Sequence, residues 1–93
     1  MILVSEVKEG DKTIVTVEDL SKAEGFTLTT RKAIKGNDYV ELEIRYPNRV
    51  ETIPLQIDAD ADLKTLAKRM ADVKNENVVI TDIKTLLGGG GEL

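Results

Sequence analysis

Between Tyr39 and Tyr46 apolar and charged positions alternate without a break, with Val40, Leu42, Ile44 and Tyr46 on one face and Glu41, Glu43 and Arg45 on the other. A period of two predicts a strand with one wet face. Pro47-Asn48-Arg49 turns the chain, and Val50 to Ile57 returns as the antiparallel partner. Pro54 within it has no N–H to give to a ladder, so it fits a bulge or an edge strand. Upstream, the β-branched run Lys12 to Glu18 follows the turn signal Glu9-Gly10-Asp11 and reads as another strand. Met1 to Val7 pairs with it across that turn, setting Leu3 or Val4 against Ile14 to Val17.

Asp19 to Gly25 reads as a polar connector. After it Phe26, Leu28 and Ile34 stay in phase through Phe26 to Ile34, predicting a further strand that ends at the turn Lys35-Gly36-Asn37-Asp38. The pattern then changes period. Leu63, Leu66, Ala67, Met70 and Val73 recur at helical spacing while Lys64, Lys68, Arg69 and Asp72 point elsewhere. Asp60 is the expected N-cap, with Asp62 in the first turn near the positive end of the helix dipole. Asn75-Glu76-Asn77 ends the helix, and Val78-Val79-Ile80 is a short apolar strand. Thr81 to Leu87 fits either a continuation of that strand or a short helix capped by Thr81.

These elements predict an α+β fold, a small antiparallel or mixed sheet of about four to five strands with one amphipathic helix packed on one face. Residues 1–87 form a single domain in this reading, and residues 88–93 a Gly-rich C-terminal tail. The face bearing Glu41, Glu43 and Arg45 is left to solvent or a partner.

Composition narrows the chemistry. With 93 residues, 41% hydrophobic and only Phe26, Tyr39 and Tyr46 as aromatics, the core must be aliphatic. The chain has no Cys, which excludes disulfides, thiolate metal sites and thiol nucleophiles. It has no His, which removes the commonest general base and imidazole ligands. No catalytic residue, metal ligand or cofactor is therefore assigned. The apolar start Met1-Ile2-Leu3-Val4 stops at Ser5-Glu6, short of a signal peptide or a membrane span, so a cytoplasmic protein without membrane contact is expected.

The net charge of −4 disfavours wrapping of duplex nucleic acid. Only the middle of the chain is basic: residues 31 to 50 carry five basic and three acidic side chains. Arg31, Lys32, Lys35, Arg45 and Arg49 on neighbouring strands, with Tyr39 or Tyr46 for base stacking, form a candidate face for single-stranded nucleic acid. A solvated sheet face is the plainer reading of the same residues, because Glu41 and Glu43 interrupt it. Asp58, Asp60 and Asp62 have the alternation that opens a calcium loop, but Leu63 stands where that loop needs Gly and Arg69 where it needs Glu. Helix capping is the simpler role for them. The run Gly88 to Gly91 is followed by Glu92-Leu93 rather than by Lys and a helix, so it is no phosphate loop.

The order strand, turn, strand, acidic cap and helix from Tyr39 to Val73, with the closing glycines, resembles the ubiquitin-type β-grasp family. That resemblance implies a modifier conjugated through a diglycine end, with Glu92-Leu93 as the unprocessed extension. The segment between helix and glycines is too short for the family's remaining strands, and an extra strand pair precedes the unit. The leading expectation is a non-catalytic protein–protein interaction or assembly module that binds a protein partner or itself through a sheet edge or the polar face. A viral structural or regulatory protein is one setting that fits its size and plainness.

Overall fold

The computed structural model describes residues 1–88. The tail expected at residues 88–93 lies, from residue 89 on, outside the described residues, and Gly88 ends a short helix. Strands β1 (Ile2–Glu9), β2 (Lys12–Asp19), β3 (Gly25–Arg31), β4 (Tyr39–Tyr46) and β5 (Arg49–Asp58) precede helix α1 (Leu63–Val73), strand β6 (Val79–Ile80) and helix α2 (Lys84–Gly88). The fold is α+β, but the six strands form two three-stranded sheets, ordered β2-β1-β6 and β3-β4-β5, where one sheet was expected.

The split begins at the segment read as a polar connector. Asp19 accepts from the Ser21 N–H at 3.0 Å and opens a 3-10 turn over Leu20–Lys22. Leu20 and Ala23 within it are buried, so this turn is an apolar anchor that carries the chain from one sheet to the other. Sequence periodicity carries no information about which strands pair, and the two buried residues lie too close together to show a period.

Two of the three hairpins, β1–β2 and β4–β5, are tight. Glu9 pairs with Lys12 across Gly10, whose φ of +61° suits the first central position of a two-residue hairpin turn. Val4 lies opposite Val17, within the pairing expected. Tyr46 pairs with Arg49 across Pro47-Asn48, and β4 lies between β3 and β5, antiparallel to both. Pro54 falls opposite Glu41 on β5, an edge strand, where its missing N–H removes no bond to β4. β3 stops at Arg31, opposite Tyr39, which is the first residue of β4. Ile34, expected to extend β3 in phase, is instead fully exposed in the connection to β4, because no partner residue remains to pair with it.

One aliphatic core serves both sheets. Val40, Leu42, Ile44 and Tyr46 of β4, with Ile53, Leu55 and Ile57 of β5, cluster with Met1 and Leu3, with Leu66 and Met70 of α1, and with Ile83 and Leu86 at α2. The Met1 α-ammonium donates to the carbonyls of Lys74 at 2.6 Å and Glu76 at 2.8 Å, beyond the end of α1. It places positive charge where helix carbonyls lack partners and the dipole is negative.

The N-cap of α1 is Asp62, not Asp60: Asp62 Oδ1 accepts from the Thr65 N–H at 3.1 Å and Oδ2 from the Thr65 hydroxyl at 2.7 Å. Of the two possibilities for Thr81 to Leu87, the helix is found, and Asp82 rather than Thr81 caps it by accepting from the Lys84 N–H at 3.0 Å.

Hydrogen bonds from Thr65, side chain first and backbone second, hold the Asp62 carboxyl below its usual pKa of 3.8. A depressed folded pKa means that the carboxylate's contribution is present above the unfolded value and is lost as pH falls through the folded one. Asp62→Asn keeps a capping oxygen but no titration. Thermal melts between roughly pH 4 and pH 2 should therefore fall less steeply for Asp62→Asn than for the unaltered chain.

Candidate interaction surface

The five basic residues considered for nucleic acid do not form one face. Arg31 and Arg45 lie on the outer face of the β3-β4-β5 sheet, where each is matched by a carboxylate. Arg31 Nη2 is 3.1 Å from Glu41 Oε1, and Arg45 Nη1 is 3.5 Å from Glu43 Oε1 and donates to Thr27 Oγ1 at 2.6 Å. Tyr39, opposite Arg31, shares that face, whereas Tyr46 points the other way into the core. Arg49, paired with Tyr46, belongs to the rim of the inner face. Lys32 and Lys35 sit in the exposed connection between β3 and β4. Among the described residues no group of three acidic side chains is placed to hold a metal ion, and Asp62 of the acidic run is occupied by its capping bonds.

Exposed apolar side chains concentrate elsewhere, on the β2-β1-β6 sheet. Ile14, Val15 and Val17 of β2 are 43%, 56% and 59% exposed. The register sets Val17 opposite Val4, Val15 opposite Glu6, and Val79 of β6 beside Ile2. Because opposed residues share a face, Ile2, Val4, Val15, Val17 and Val79 form an apolar strip across three strands.

The direction of the backbone groups follows from two bonds. The Leu20 N–H donates to the Met1 carbonyl at 2.9 Å, and the Ile2 N–H to the Val78 carbonyl at 2.8 Å. Odd residues of β1 therefore bond toward β2 and even ones toward β6, since backbone groups alternate sides along a strand. Even residues of β2 bond to β1, leaving the N–H and C=O of Thr13, Val15 and Val17 pointing out of the sheet edge.

The other sheet edges differ. β5 exposes one large apolar side chain, Val50, and carries Pro54 on its outer edge. β6 covers β1 only at Ile2 and Leu3, after which β1 faces a groove of about 520 Å³ between Val4–Lys8, Gln56 and Thr81–Lys84. There the Gln56 amide donates to the Glu6 carbonyl at 2.7 Å. β3 exposes no large apolar side chain, and Thr27, Thr29, Thr30 and Arg31 dominate its sequence. β2 combines open backbone groups with exposed apolar side chains, the combination that proteins ordinarily avoid at an edge.

The inner end of β2 is clamped to the other sheet. The Tyr46 hydroxyl donates to Glu18 Oε1 at 2.7 Å, Arg49 Nη1 lies 3.6 Å from the same oxygen, and its guanidinium stacks 4.0 Å above the Tyr46 ring. Burial, followed by the hydrogen bond and charge of Glu18, raises the Tyr46 pKa far above the ordinary phenol value, so the hydroxyl remains a donor at any physiological pH. Glu18 is buried, and Leu3 lies opposite it. The alternation of β4 placed Tyr46 inward, but only the long-range register brings it to Glu18.

No helix among the described residues is long and apolar enough to cross a membrane. No family model, curated protein or solved structure matches the chain.

Tyr46→Phe removes the hydroxyl donor to a buried carboxylate and should cost about 1.5 kcal/mol in urea unfolding, with the fold retained. A single-stranded oligonucleotide should show no binding at moderate salt, because the carboxylates beside Arg31 and Arg45 offset their charge; fluorescence anisotropy checks this. Salt-sensitive binding abolished by Arg31→Ala would restore the nucleic-acid reading.

Proposed function

We propose that the protein is a non-catalytic interaction module that captures an extended strand from another chain along β2. The observation that carries this reading is the open edge itself: Thr13, Val15 and Val17 direct backbone donors and acceptors outward, and Val15 and Val17 are more than half exposed. Strand addition of this kind takes its affinity from main-chain hydrogen bonds and its specificity from alternate side chains. Here the alternate positions would be met by β-branched or apolar residues on the face of the Ile2, Val4 and Val79 strip. The polar face of the other sheet supports the reading less well, because its charges already have partners.

A library of displayed peptides selected against the immobilised protein tests the proposal. Selected binders should be extended, rich in β-branched residues, and should slow hydrogen exchange at the amides of Thr13, Val15 and Val17. Val15→Pro deletes an outward N–H without removing a bond to β1, and it should weaken those binders at least tenfold. Binders that protect other amides, or that tolerate Val15→Pro, would overturn the assignment.

A further inference from the structure

We infer that the strand docked on β2 is β2 of a second copy, laid antiparallel about a twofold axis that passes beside Val15. This rests on the reading above that β2 is a docking edge, and adds the partner and the register.

Self-pairing of a strand about a twofold fixes each register by its central residue, so the choices can be compared one by one. Centred on Val15, the outward-bonding residues meet one another: Val15 meets Val15, and Thr13 meets Val17 of the second copy. The two Thr13–Val17 pairs and the Val15 pair then exchange about six ladder hydrogen bonds. Between them Ile14 faces Thr16, and Lys12 faces Glu18 of the second copy, twice by symmetry. Lys12 makes no ion pair within its own chain among the described residues, whereas Glu18 lies within reach of Arg49 and Tyr46. The facing side chains are opposite in sign, and because Glu18 is already held by Tyr46 and Arg49, Lys12 is the free member of each pair.

Neighbouring registers lose this. Centred on Ile14, Lys12 meets Thr16 and no charges pair; centred on Thr16, the apolar Ile14 meets Glu18. Centring on Thr13 or Val17 shortens the overlap of the two strands. The Val15 register also aligns the two apolar strips, so that Val4, Val17 and Val15 of one copy continue into the same residues of the other. An isologous contact of this kind uses one patch twice and closes on itself as a dimer instead of growing. The result is a continuous six-stranded sheet, β6-β1-β2 joined to its twofold mate.

The absence of Cys from the chain makes the register directly readable by single-cysteine variants. Opposed residues in such a pair lie within disulfide range. Light scattering should give about 20 kDa, twice the 10.2 kDa chain mass. Under mild oxidation Val15→Cys should form a covalent dimer at least tenfold faster than Thr29→Cys, which lies on a strand of the other sheet. Thr13→Cys and Val17→Cys should each link poorly alone and link to one another when mixed. Lys12→Glu, which sets like charges opposed at both ends, should raise the dissociation constant about tenfold.

A chain mass at high concentration, with equal cross-linking of Val15→Cys and Thr29→Cys, overturns the self-pairing. Fast self-linking of Thr13→Cys or Val17→Cys overturns the register. If the chain is monomeric yet selected peptides still depend on Val15, strand capture stands and the second copy falls. If neither the second copy nor any peptide protects β2, both fall.

Discussion

The bond from the Tyr46 hydroxyl to Glu18 joins two sheets that are each too small to stand alone. A three-stranded sheet needs a packed face to persist, and one strand of the β2-β1-β6 sheet is only two residues long. Its inner residues must therefore share the core built on β4 and β5. Tyr46 sits at the end of the β4 alternation and Glu18 near the end of β2, and Arg49 closes the cluster over the ring. The carboxylate gains both a hydroxyl donor and a nearby cation, which offsets the cost of holding a charge with so little water. This cluster fixes the inner end of β2, and the ladder to β1 holds the rest of the strand.

Much of the second sheet was legible in the sequence because one physical rule governs it. β4 alternates strictly, β5 follows it through a tight turn, and Pro54 marks an edge; each inference used only the period of a strand, a turn signal or the missing N–H of proline. The helix was legible for the same reason. Its cap was misplaced by two residues, although Asp62 stands directly before Leu63 and three residues before Thr65, a spacing that brings the carboxylate to the first free amides. Ile34 misled because alternation can continue after a strand has lost its partner.

The division into two sheets was not legible, because nothing local records that Leu20 and Ala23 are buried while the chain crosses between layers. The open edge left a trace. Ile14, Val15 and Val17 place apolar side chains on both faces of β2, which a small domain with a single core has no means of covering. The basic residues illustrate the converse: proximity in sequence suggested one surface, but hairpin pairing sends Arg49 to the face opposite Arg31 and Arg45 and gives those two arginines acidic neighbours.

Clamping β2 at its inner end and pairing it throughout with β1 also settles where the entropy of association is lost. A loose segment must surrender backbone freedom when it joins a sheet, typically one to two kcal/mol for each residue fixed, roughly. β2 has already surrendered that freedom on folding, so only rigid-body motion and a few side-chain rotamers remain to be lost at its edge. An incoming strand that is equally ordered beforehand brings the same advantage from its own side. Preorganisation thus favours partners that are themselves folded, and it lets a seam of a few residues hold more tightly than its area alone suggests.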